Sequence, residues 1–253
     1  RTKDSPFNVT FSTMNKVVLI PFCFWLFISC TKPNWGASNT TPTTRVTSFK
    51  DSVHYLALGD SYTIGASVER DDNFPNQTFQ LLKSAGFKTS SIQIIAKNGW
   101  TAEDLKNGLA GADKKAVYQI VTILIGVNNQ YQGKPMSEYE PVYLSLLKSA
   151  IALTGNKPKR VFIMSIPDWG ITPFASGRDR KVIANEIDNY NVVCENYAKA
   201  YGANFINITD GYRVDGFKTD YLAVDGLHPS KIEYTKWAIK LTQQIVNVFA
   251  AGG

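Results

Sequence analysis

A chain of 253 residues is long enough to bury a substantial core, and 44% hydrophobic with 19% charged residues is the composition of a folded globular protein, not a disordered one. The formal charge of +6 includes Arg1, Lys3 and Lys16 against Asp4 in residues 1–30, and no run or stripe of Lys and Arg marks a nucleic-acid surface. Only His54 and His228 are present, so a multi-histidine metal site is disfavoured and any step that needs an imidazole must use one of the two.

Residues 1–13 precede the first methionine, show no apolar periodicity, and are expected to stand outside the fold. Lys16 then leads into an apolar run, 17–28, too short to span a bilayer. The run ends in Phe27-Ile28-Ser29-Cys30, which resembles a bacterial lipoprotein signal and implies lipidation of Cys30, export and a membrane anchor; an ordinary secretory signal or an uncleaved anchor are the alternatives. Residues 14–30 are therefore read as a signal peptide. Residues 31–51 are rich in Thr, Ser, Asn and Pro and read as a flexible linker to a domain over 52–253. Of the three cysteines, two lie in the signal, and Cys194 reads as a small buried hydrophobe.

Within the domain, Tyr55-Leu56-Ala57-Leu58 is an apolar run of strand length that stops at Gly59-Asp60-Ser61. Helical periodicity follows over 74–85, with Pro75 tolerable in a first turn. A second strand is expected over 91–96, ending at Asn98-Gly99-Trp100, and a short helix over 102–107. Ile120-Val121-Thr122-Ile123-Leu124-Ile125 has the continuous β-branched character of a strand buried on both faces, and it ends in Gly126-Val127-Asn128-Asn129. Helix 136–153, strand 161–166, an aromatic loop through Trp169 and Phe174, helix 180–201, strand 204–208 and a closing helix 230–249 complete the chain. The last helix offers Ile232, Trp237, Ile239, Leu241, Ile245 and Val248 for an inner face. Strands alternating with helices predict an α/β three-layer sandwich around a five-stranded parallel sheet, joined by right-handed crossovers. Its carboxyl edge collects every strand-end motif.

Two short segments carry the chemistry. Ser61 stands at the end of the first strand, where a turn capped by Asp60 or Ser61 is the plain alternative. Asp225 and His228 lie three apart in a turn before the last helix, a spacing that lets the carboxylate hold one ring nitrogen while the other points outward. A serine hydroxyl becomes nucleophilic when a base takes its proton, and the base needs an acceptor to fix its tautomer. Ser61, His228 and Asp225 offer those roles. The backbone N–H of Ser61, the backbone N–H of Gly99 and the amide of Asn128 are candidate donors to an oxyanion. His54 begins the first strand, at the opposite edge, and has no expected catalytic role.

Gly59-Asp60-Ser61, Gly99, Gly126-Val127-Asn128 and Asp225-Gly226-Leu227-His228-Pro229 occur in the order of the blocks of the SGNH (GDSL) hydrolases, and the chain resembles that family from about residue 55 to 249. Asn129 is a departure, because the third block usually carries aspartate there. The resemblance implies a flavodoxin-like fold and serine-dependent hydrolysis of carboxylic esters with no metal or cofactor. The expected partner is a small-molecule, glycan or lipid ester, and a monomer is expected. Deacylation of an O-acylated sugar, a lysophospholipase or thioesterase activity, and a non-catalytic glycan-binding surface lipoprotein all stay open. Trp100, Tyr131, Trp169 and Phe174 could line an acyl pocket, stack on sugar rings or simply pack their loops.

Overall fold

The computed structural model describes residues 52–109 and 117–253, so the expected tail, the signal with Cys30 and the linker lie outside the described residues. Five strands form one parallel sheet: β1 (Val53–Gly59), β2 (Thr89–Ala96), β3 (Ile120–Leu124), β4 (Val161–Met164) and β5 (Asn204–Ile206). Their order across the sheet is β2-β1-β3-β4-β5. The expected α/β sandwich with a five-stranded parallel sheet is the observed fold.

The helices are α1 (Ser61–Ile64), α2 (Phe74–Ser84), α3 (Ala102–Leu109), α4 (Val127–Tyr131), α5 (Met136–Leu153), α6 (Arg180–Tyr201), α7 (Thr209–Asp215) and α8 (Lys231–Ala250). The chain leaves β1 toward β2 and returns past it to β3, so right-handed crossovers put α2 on one face of the sheet and α3, α5 and α6 on the other. α8 packs along α2, α3 along α5 and α5 along α6. β1, β3 and β4, the three inner strands, are buried nearly throughout, which is why their sequences are apolar without alternation.

Two details differ from the periodicity reading. Ile232 stands outside the core, half exposed, while Glu233 is buried in its place, its Oε1 accepting the indole N–H of Trp237 at 2.8 Å. The inner face of α8 is thus Tyr234, Trp237, Ala238, Leu241, Ile245, Val246 and Phe249, one residue round from the simplest stripe. The short helices α1, α4 and α7, of 4, 5 and 7 residues, also escape a reading by apolar period, since they make only about one to two turns each.

The reversal of chain direction after β1 leaves a crevice at the carboxyl ends of β1 and β3. Open parallel sheets bind their ligands at such a switch point.

Candidate functional site

The turn after β1 is built by three small residues. A Cβ at Gly59 would collide with Thr63 Oγ1 and with the Leu124 carbonyl, so glycine alone lets α1 fold back on the strand end. Asp60 caps α1, its Oδ1 accepting the Tyr62 N–H at 3.0 Å. Ser61 is therefore the first helical residue, its N–H among the donors a helix start leaves unpaired. Capping and presentation of the serine are one and the same geometry. Asp60 itself is wholly buried, and its Oδ2 has no partner among the described residues. Desolvation pushes its carboxyl up to about 7, against the pull of the Tyr62 N–H.

The second segment is a closed loop between a short helical turn (Thr219–Tyr221) and α8. The Ala223 N–H bonds the His228 carbonyl at 2.8 Å and the Ser230 N–H bonds the Tyr221 carbonyl at 2.9 Å. Inside it, Asp225 Oδ2 holds His228 Nδ1 at 2.6 Å, and Oδ1 accepts the backbone N–H groups of Leu227 and His228, each at 3.0 Å. Oδ2 also accepts the Ser67 hydroxyl at 2.7 Å. Burial raises the Asp225 carboxyl, but bonds from Ser67, the His228 ring and the two backbone donors outweigh it and bring it down to about 2. The Tyr62 ring covers His228, with centroids 4.9 Å apart. His228 Nε2 is buried and has no hydrogen-bond partner among the described residues. The helix cap here is Ser230, whose Oγ accepts the Ile232 N–H, so His228 is free of that duty.

Ser61, Gly99, Asn128 and His228 line one cleft of about 220 Å³, with Asp225 behind the imidazole. Gly99 adopts a left-handed backbone (φ +79°). Asn128 donates one amide hydrogen to the Trp100 carbonyl at 2.9 Å, which orients the side chain and leaves its second hydrogen available. A model of the GDSL-like Lipase/Acylhydrolase family matches residues 57–234. The chain belongs to this family.

Solved structures share the fold at low identity. TesA is 16% identical with a TM-score of 0.62, covering 77% of this chain and 99% of that one. The lipase/acylhydrolase from Enterococcus faecalis is 19% identical with a TM-score of 0.59, covering 77% and 96%. Axe2, an acetylxylan esterase from Geobacillus stearothermophilus, is 20% identical with a TM-score of 0.59, covering 76% and 94%. No curated protein matches the chain in sequence.

The GDSL-like frame tolerates Asn129 in the third block because the position needs only an acceptor. Its Oδ1 takes the Ala102 N–H at 2.9 Å, at the start of α3, and an amide oxygen serves there as well as a carboxylate. Of the four loop aromatics, Tyr131, Trp169 and Phe174 line the cleft, with ring centroids 5.3–6.1 Å apart. Trp100 is elsewhere, packed on Gly108 of α3 so closely that a Cβ there would collide with its ring. His54 bonds Ser91 Oγ at 2.8 Å near the start of β1, and Cys194 is buried among Tyr139 and its neighbours, its thiol pushed up to about 11 by burial.

Several contributors had no sequence signal strong enough to find them. Trp169 is fixed from behind by Gln130, whose Oε1 accepts the indole N–H at 2.7 Å and whose Nε2 reaches Glu186 at 2.7 Å. Buried Asp168 takes the Gly170 N–H on one oxygen and Arg213 Nε on the other, at 2.9 and 2.8 Å. Ser67 is six residues after Ser61 and 158 before Asp225, a separation that no local pattern reports.

Proposed function

We propose that the chain hydrolyses carboxylic esters of short acyl groups by covalent catalysis through Ser61, with O-acylated sugars as the substrate class. The observation that carries this reading is the unpartnered, buried Nε2 of His228 on a residue that shares one small cleft with Ser61, while Nδ1 is held by Asp225. In the ring tautomer that donates from Nδ1, Nε2 is a base with nothing bound to it.

His228 Nε2 takes the Ser61 proton as Oγ attacks the ester carbonyl, and Asp225 stabilises the imidazolium. The Ser61 N–H, the Gly99 N–H and the second Asn128 amide hydrogen receive the oxyanion. Collapse breaks the bond to the alcohol, which leaves with the proton from His228. Water, deprotonated by the same nitrogen, then cleaves the acyl-enzyme and restores Ser61. No hydrogen bond joins Ser61 Oγ to His228 among the described residues; such bonds are often long in unliganded enzymes and tighten on binding.

The cleft supports the short acyl group. At about 220 Å³ it is below the ~300–1,000 Å³ of pockets for drug-sized ligands. The half-exposed rings of Tyr131 and Phe174 at its rim suit a sugar face, and several structural neighbours are named as acetylxylan esterases. Hydrolysis of p-nitrophenyl esters from acetyl to palmitoyl tests this, with the acetyl ester expected to give the highest kcat/KM. Ser61→Ala should lower kcat by at least about 10⁴-fold without unfolding the chain. A preference for palmitoyl would favour a lipid hydrolase instead. Export and anchoring through a lipidated Cys30 form part of the same proposal.

A further inference from the structure

We infer that Ser67 is a positioning residue for the proposed hydrolysis, a clamp that fixes the Asp225 carboxylate to the segment carrying Ser61; the inference rests on the functional reading above. Asp225 sits in an exposed loop: Val224 beside it is fully exposed, and the Asp225 side chain retains 30% of its accessible surface. A carboxylate so placed can rotate and exchange partners with water unless each oxygen is held. Oδ1 is held within the loop by two backbone N–H groups. Oδ2, the oxygen that orients His228, is held from outside the loop by the Ser67 hydroxyl at 2.7 Å.

The clamp joins two segments that must be in register. α1 starts with Ser61, ends at Gly65 in the left-handed region (φ +80°), and reaches Ser67 two residues later. Gly65 cannot carry a Cβ, which would lie 2.5 Å from the Cβ of Asn73. Asn73 in turn donates to the Ile64 carbonyl at 3.0 Å, so the turn is pinned beneath. Ser61 and Ser67 therefore belong to one stiff unit, and the Ser67–Asp225 bond sets where the Asp225–His228 pair stands relative to Ser61.

Ser67 itself adopts φ +64°, a left-handed conformation that a serine enters at a cost. Glycine would relieve that cost and lose the hydroxyl; threonine would keep the hydroxyl and add a β-branch unfavourable in this region. Those two substitutions uncouple stability from the clamp. Strain held at such a position is a known companion of function.

In full-length enzyme acting on p-nitrophenyl acetate, Ser67→Gly should raise Tm above that of Ser67→Ala, yet both should lose about tenfold in kcat with KM within twofold of wild type. Ser67→Thr should melt lower than wild type but keep kcat within threefold. The low-field proton resonance of His228 Nδ1–H should move in the Gly and Ala variants and stay in place in the Thr variant. Unchanged kcat and an unmoved resonance in Ser67→Gly would overturn the clamp while leaving the serine-hydrolase reading intact. That broader reading fails separately, and takes the clamp with it, if Ser61→Ala retains wild-type turnover.

Discussion

At the scale of single residues, the site is a set of polar atoms whose environments have been pushed in opposite directions. Asp225 is held by four donors and brought down to about 2, and Asp60, wholly buried and accepting one backbone N–H on Oδ1, is pushed up to about 7 by desolvation. A folded-state value above the ordinary 3.8 means that the native chain binds the proton more tightly than the unfolded one between those two pH values. Stability therefore falls as pH rises from about 4 to 7, at up to roughly 1.4 kcal/mol per pH unit. Asp60→Asn keeps the oxygen that caps the Tyr62 N–H and removes the charge. Urea melts at several pH values should show wild type losing stability relative to this variant from pH 4 to 7, with no further relative change above pH 8. A difference that stays constant across the range would show that Asp60 does not titrate there. Asp225 behaves in the opposite sense: its stabilising contribution is present above the ordinary carboxylate value and is lost as pH falls toward 2.

At the scale of elements, the aromatic wall depends on struts that come from two helices. Arg213 on α7 binds Asp168 Oδ2 and Asp188 Oδ1, each at 2.8 Å, and reaches the Ala184 carbonyl on α6 at 3.1 Å. Asp168 begins the turn that carries Trp169, and Phe174 farther along donates its N–H to the Gly226 carbonyl at 3.2 Å, tying the wall to the His228 loop. Arg213→Ala would leave the buried Asp168 carboxylate without its cationic partner, a loss of about 1–3 kcal/mol given that the arginine is partly solvated. The expected outcome is a lower urea midpoint with an increased KM for p-nitrophenyl acetate and a smaller change in kcat, because in the proposed function the wall meets the substrate while Ser61, His228 and Asp225 sit on other segments. An unchanged KM in that variant would separate the wall from substrate binding. The strand ends themselves were legible: Gly59-Asp60-Ser61, Gly99 and Gly126-Val127-Asn128 stand where apolar runs stop, because a parallel sheet places its turns and its ligands at that edge. Trp100 was not separable from Trp169 by composition, since both are tryptophans in glycine-bearing loops; which one faces the cleft depends on Gly108 in a helix that neither loop contains.

For the whole molecule, the proposed anchor and the hydrolase are separable parts, since the lipidated residue would be Cys30 and the cleft is built entirely from residues beyond 60. Cys30→Ser, expressed in a bacterial host supplied with labelled palmitate, should lose the label and move ester hydrolysis from the membrane to the soluble fraction, with kcat unchanged; retention of label would remove Cys30 from the proposal. Local sequence determined the strands and long helices, the α/β class, and the identity of Ser61, Asp225 and His228 as a group worth bringing together, because burial, helical period and turn chemistry are short-range properties that leave a mark within about ten residues. Only the tertiary structure decided that Ser67 reaches Asp225, that Gln130 and Arg213 brace the wall, that Tyr62 covers His228, and that Glu233 is buried while Ile232 is not. Those contacts join residues whose sequence neighbours carry no record of the partner, since each exists only after the crossovers have stacked one element on another.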